Sequence, residues 1–126
     1  MFFMASPSEE KYLEEIYNKV LEKEFTSVTE IASSLNVNRS SVTKMVRKLS
    51  DEEYLHSQRY GKIRMTEKGL EKGMELALNH KVLEEFFQLI DLEEEQIHRE
   101  ISNIEYYISG NAVAKIKDFI KKEKGE

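Results

Sequence analysis

The 126-residue chain has no cysteine, a single proline and only five glycines. Without cysteine there is no disulfide framework and no thiolate metal site. So little proline and glycine leaves little room for long loops. No stretch approaches the roughly 18 apolar residues of a membrane span. The apolar start Met1-Phe-Phe-Met is too short for a secretory segment and has no basic stretch before it. The expectation is a cytoplasmic protein without membrane association. A glycine-rich phosphate loop, a nucleophile elbow and a His-Glu-x-x-His motif are also missing, so no enzyme is expected. What is present is 40% hydrophobic and 34% charged residues, the balance of a folded, helix-rich chain.

The net charge of −5 is unevenly spread. Between Asn36 and Arg64 there are seven cations (Arg39, Lys44, Arg47, Lys48, Arg59, Lys62 and Arg64) against three anions, a surplus of four, so the remainder carries −9. Screening makes the local field count most, so a basic face on an acidic body still attracts phosphates.

The pattern predicts a mainly α protein: an N-terminal winged helix-turn-helix domain over 6–66 and a helical dimerisation domain over 67–126, joined by a long helix. Ser6, Pro7 and Glu9 are placed to start the first helix with a capping box. Its apolar stripe is Tyr12, Leu13, Ile16, Tyr17, Val20 and Leu21. Ser27-x-x-Glu30 is a second box, opening a helix with Val28, Ile31, Ala32 and Leu35. Asn36-Val37-Asn38 forms a turn, with Asn38 capping the third helix. Val42, Val46 and Leu49 turn inward there. Arg39, Ser40, Ser41, Thr43, Lys44 and Arg47 are left outward. Small hydroxyls and cations on one free helix face suit the major groove of double-stranded DNA. A hairpin follows, Leu55-His-Ser-Gln-Arg and Lys62-Ile-Arg-Met, with Tyr60-Gly61 at its tip. Arg59, Lys62 and Arg64 would serve phosphates or the minor groove.

Thr66 caps a long helix running to about Ile90, whose apolar residues include Leu70, Met74, Ala77, Leu78, Val82, Phe86 and Phe87. Gly69 and Gly73 on one face imply close packing against the winged domain, because interior glycine otherwise costs about 1 kcal/mol. Asp91-x-x-Glu94 is read as the next cap. Ile97, Ile101, Ile104 and Ile108 then form a narrow seam, read as a homodimer interface with intramolecular core as the alternative. Ser109-Gly110-Asn111 precedes a last helix with Val113, Ile116, Phe119 and Ile120. The charged tail Lys121–Glu126 is expected to fray.

Ser40-Ser-Val-Thr-Lys-Met-Val-Arg-Lys-Leu, Tyr54-Leu55, Thr66-Glu-Lys-Gly69, Tyr12-Leu-Glu-Glu-Ile-Tyr17 and His80-Lys-Val-Leu-Glu-Glu-Phe86 together resemble the diphtheria-toxin-repressor family, in its manganese-transport-regulator branch. The resemblance covers nearly the whole chain. It implies a homodimeric, metal-dependent repressor of metal uptake genes that binds a palindromic operator, with manganese or iron as its ion. The branch takes an Asp and a Glu from the first helix, a His from the long helix and Glu-x-x-Glu-His from the fifth.

In this chain Lys11 stands at the Asp position, and Ser102 and Tyr106 stand at the first Glu and the last His. Three of six ligands remain: Glu14, His80 and Glu105. Two lost negative charges and one gained positive charge oppose a dication, so the metal response is expected to be weakened or lost. Either the Lys11 ammonium replaces the ion by bridging Glu14 and Glu105, or Lys11 points to solvent and the site has decayed; a weaker site of Glu14, His80 and Glu105 completed by water is the third alternative. Tyr106 is a poor ligand, since a phenol ionises near pH 10. His98 and His56 are read as surface residues. Two alternatives accompany this reading: a winged-helix regulator answering to a different ligand, and a protein-interaction module.

Overall fold

The computed structural model describes residues 5–57 and 61–126. Its elements run α1 (Pro7–Lys23), β1 (Thr26–Ser27), α2 (Val28–Leu35), α3 (Arg39–Asp51), β2 (Leu55–Ser57), β3 (Lys62–Met65), α4 (Glu67–Leu89), α5 (Glu94–Ile104) and α6 (Gly110–Glu123). By compactness the chain divides into two units within α4, the first ending at Glu75 and the second starting at Leu76.

Helix starts follow local capping chemistry. The Ser6 hydroxyl accepts from Glu9 N–H at 3.1 Å and the Glu9 carboxylate accepts from Ser6 N–H, completing the box expected for α1. Ser27 accepts from Glu30 N–H at 3.1 Å, but the Glu30 carboxylate does not return to Ser27. It accepts from the Thr26 hydroxyl and pairs with Lys23 instead. That second box is therefore half formed, because a lysine offers a charge-assisted partner. Asn36 closes α2 in the left-handed region (φ 55°), and Asn38 caps α3 through Ser41 N–H at 2.8 Å.

The first unit buries Leu13 and Ile16 of α1, Ile31 of α2, Val42, Val46 and Leu49 of α3, and Ile63 of β3. Val20 is only half-buried and Leu21 is 63% exposed, so the stripe on α1 ends earlier than its spacing implies. The wing is a three-stranded antiparallel sheet in the order β1-β3-β2, not a simple hairpin. Thr26 pairs with Ile63 and Ser27 with Lys62; Leu55, His56 and Ser57 pair with Met65, Arg64 and Ile63. β1 has no legible signal of its own, since two residues carry no alternation.

The start of α4 is fastened to the end of α3. The Thr66 hydroxyl accepts from Gly69 N–H at 3.0 Å and reaches the carbonyl oxygens of Glu53 and Tyr54. A Cβ at Gly69 would fall 2.1 Å from the Tyr54 carbonyl oxygen, and one at Gly73 2.4 Å from the Tyr17 ring. The glycines are thus required by contact. Lys72 adds ion pairs to Glu10 (3.0 Å) and Glu75 (3.4 Å). Leu70, Met74 and Leu78, expected to be buried, are exposed; Leu76 and Leu83 hold the inward positions. Gly69 and Gly73 take the inward face of the first turns of α4, which leaves Leu70 and Met74 outward.

The second unit packs Leu83 with Ile97 and Ile101, joined by Phe87, Leu92, Ile104, Ile108 and Ile116. Ile97 and Ile101 of the isoleucine seam are thus core of this unit, and Ile104 and Ile108 are partly buried beside them. Asp91 does not cap α5: it sits in the left-handed region (φ 65°) and donates to Gln88, ending α4. Helix α5 starts at Glu94 without a side-chain cap. Helix α6 is capped by Ser109 through Ala112 N–H and stays helical to Glu123, beyond the expected fraying point at Lys121. Phe119 is 47% exposed despite its apolar spacing.

One buried polar cluster stands apart. Glu9 is 2% exposed and pairs with Lys48 Nζ at 3.1 Å. Its other oxygen, Oε2, and Oε2 of Glu52 are both buried and meet no donor unless one of the two carboxyls carries a proton. Burial, a hydrogen bond to Glu9 and the Glu9 charge push Glu52 up to about 7. Burial alone would raise Glu9, but hydrogen bonds with Glu52, Lys48 and Ser6 outweigh it and hold Glu9 below the usual carboxylate value. The arrangement is a carboxylic acid at Glu52 donating to a carboxylate at Glu9.

Two tests follow from this packing. Gly69→Ala, although favourable by helix propensity, is expected to destabilise the protein by about 1–3 kcal/mol through the clash with Tyr54, measured by urea denaturation. The raised Glu52 value means that its contribution is fully present below the unfolded value of 4.5 and is lost as pH rises through about 7. Glu52→Gln keeps a donor and removes the titration. It should melt above the parent at pH 8, with the gap closing toward pH 5.5; a gap independent of pH would show that Glu52 is ionised throughout.

Candidate nucleic-acid interface and metal centre

The helix-turn-helix presents a single chemical face. Arg39, Ser40, Ser41, Thr43, Lys44 and Arg47 are all exposed on α3, while Val42, Val46 and Leu49 are buried on the other side. Three buried residues at positions 42, 46 and 49, with half-buried Met45, hold the helix by one edge and leave the other side chains of its first three turns exposed. Among the described residues, Arg39, Lys44 and Arg47 form no ion pair, whereas Lys48, one turn past Lys44, is drawn to Glu9. The Ser40 hydroxyl donates to Asn38 at 2.8 Å and the Thr43 hydroxyl to the Arg39 carbonyl at 3.0 Å. Both hydroxyls keep acceptor lone pairs for an external donor.

On the wing, Lys62 is exposed and Arg64 half-buried, both on β3. Arg59, the third wing cation named from the sequence, lies outside the described residues. A feature that sequence reasoning missed is Phe25, just before β1. Lys62 Nζ stands 4.5 Å from its ring centroid and Arg64 Cζ 5.7 Å. Only the register of β1 against β3 brings these three together, and that register is not visible in the chain.

Of the metal-ligand candidates, the second unit joins two. His80 on α4 and Glu105, the residue after α5, meet with Nδ1 and Oε1 2.8 Å apart. The Glu105 side chain is 7% exposed and that of His80 37%. Glu84, one turn past His80 on α4, lies 3.8 Å from Nε2. In the first unit Glu14 is 8% exposed on α1. Lys11 is exposed. A lysine ammonium is strongly hydrated and reaches water from an exposed position at no desolvation cost. Ser102 is exposed and Tyr106 half-buried. His56 and His98 are both exposed, as expected of surface residues. Among the described residues no helix is long and apolar enough to cross a membrane.

Comparison with known proteins agrees with this architecture. Residues 4–63 match the iron-dependent repressor N-terminal DNA-binding domain, and residues 66–124 match the iron-dependent repressor metal-binding and dimerisation domain. The chain is 42% identical over 118 residues to the HTH-type transcriptional regulator MntR of Geobacillus kaustophilus, spanning 94% of this chain and 84% of that one. It is 40% identical over 118 residues to MntR of Bacillus subtilis, spanning 94% and 83%. Among solved structures, the manganese regulator SloR is 25% identical with a TM-score of 0.76, over 94% of this chain and 55% of its own. ScaR with bound zinc is 27% identical with a TM-score of 0.77, over 90% and 53%. The chain thus spans about half the length of those solved chains. With both domain models matched in order and the MntR likeness running through both, the chain belongs to the iron-dependent repressor (diphtheria-toxin-repressor) family of metal-dependent, DNA-binding transcriptional regulators.

Proposed function

We propose that the protein represses transcription as a homodimer in the cytoplasm, with residues 6–66 binding DNA and residues 67–126 pairing the two copies. The observation that carries this reading is the outward face of α3, exposed, cationic and hydroxylated along its length. Arg39, Ser40, Ser41, Thr43, Lys44 and Arg47 enter the major groove, with the arginines and lysine divided between base edges and phosphates. Arg59, Lys62 and Arg64 hold the flanking backbone. Two copies related by a two-fold axis read two half-sites, so the operator is a palindrome. A protein-docking role for the same face is disfavoured, since such faces are depleted in lysine and rich in apolar anchors. The family's role as a transcriptional regulator, together with the motifs lacking from the chain, supports a binding function without catalysis.

The family implies a divalent ion, and the donors fit one in part. Glu14, His80 and Glu105 offer two carboxylate oxygens and an imidazole nitrogen, a set suited to manganese or iron(II). An ion held there would neutralise the two carboxylates and tie the residues that supply them. Ser102 and Tyr106 add no good ligand, and Lys11 adds a charge of the wrong sign nearby. We therefore assign at most one ion per chain, held more weakly than by six protein ligands and completed by water, giving a weakened metal response.

Binding to DNA is tested by mobility shift on duplex fragments over a range of salt. Arg47→Ala should weaken binding and lower the slope of log K against log salt by roughly 1. Unchanged affinity and slope would remove Arg47 from the interface. For the ion, titration with manganese followed by electron paramagnetic resonance should give one bound ion per chain in the parent and none in His80→Ala. Two ions per chain, or equal binding by His80→Ala, would sink the three-donor site.

A further inference from the structure

We infer that Phe25 is a positioning residue for DNA binding: its ring fixes Lys62 and Arg64 on the wing so that both address the same phosphodiester backbone. The inference rests on the reading of the wing as a DNA contact and adds a residue to it. Thr26 and Ile63 face each other across β1 and β3, and both are 1% exposed. Side chains alternate along a strand, so Phe25, Lys62 and Arg64 lie on the opposite, outer face. There the half-buried ring has one cation 4.5 Å and the other 5.7 Å from its centroid. Both distances fall inside the range over which the negative face of an aromatic ring attracts a cation, about 6 Å.

The chemistry favours holding these groups without using them up. A ring face offers no hydrogen-bond acceptor in its plane, so the N–H groups of the ammonium and guanidinium stay available for phosphate oxygens. Long side chains otherwise lose rotamer freedom when they engage a ligand; a ring that has already confined them removes part of that cost at binding. Neither cation has an acidic partner among the described residues, in contrast to Lys48 with Glu9. The aromatic ring thus orders the two charges without neutralising them, which an aspartate or glutamate at the same place would do.

The test uses the full chain with manganese present and a fluorescent 30-base-pair duplex of random sequence at low salt. Phe25→Leu keeps apolar bulk but removes the aromatic face, and should lower affinity by about three- to tenfold. Phe25→Tyr should restore it. In a Lys62→Gln/Arg64→Gln background, Phe25→Leu should have no further effect, a criterion that holds even if the leucine variant melts somewhat earlier. Equal affinity of Phe25→Leu and the parent would overturn the inference, as would an undiminished loss in the background lacking both cations. If Lys62→Gln/Arg64→Gln itself binds like the parent, it is the reading of the wing as a DNA contact that fails.

Discussion

The close approach of the first turns of α4 to Tyr54 and Tyr17 is the constraint on which the packing of the first unit depends. Gly69 lies against the carbonyl of Tyr54 and Gly73 against the ring of Tyr17, at distances no side chain tolerates. A helix pressed this hard onto its neighbours cannot rotate about its axis. Side-chain direction along a helix follows the 3.6-residue period, so Leu70 and Met74 on the same turns face water.

Charge is segregated by structure as well as by sequence. The first unit carries its cations on α3 and β3, but it does not treat them alike. Arg39, Lys44 and Arg47 stay unpaired among the described residues; Lys48 is taken by Glu9; Lys62 and Arg64 rest on Phe25. Unpaired cations retain their full field for an external anion, whereas a paired one contributes little beyond its own neighbourhood. The acidic pair Glu9 and Glu52 stays inside by sharing a proton, since two ionised carboxyls in contact and out of water would each repel the other. The chain therefore keeps a basic face on an acidic body, because the first three turns of α3 carry no carboxylate.

Legibility differed by the range of the interaction. Caps at Ser6, Ser27, Asn38 and Thr66 are short-range hydrogen bonds spanning three residues, and each forms as its spacing implies. Where a local signal met a competitor the outcome changed. The Glu30 carboxylate went to Thr26 and Lys23, and Asp91 closed one helix instead of opening the next. Strand β1 could not be read at all, since two residues gain strand geometry only from β3. The spacing of the isoleucines marks one apolar edge, but spacing does not name the partner. Leu83 and Ile116 of the same unit fill that place.

The amino-acid sequence by itself determined the order of the helices, the inward and outward faces of α3 and the two interior glycines, while the metal-ligand candidates came from its resemblance to a family. The former rest on periodicity, on capping geometry and on residue chemistry, all of which act within a few residues. Tertiary structure alone decided that Phe25 meets Lys62 and Arg64, that Glu9 meets Glu52, that His80 meets Glu105, and that Lys11 is left in water. Those contacts join residues distant in the chain. Their formation is governed by sheet register, helix rotation and the cost of burying charge, and none of these is written at a single position.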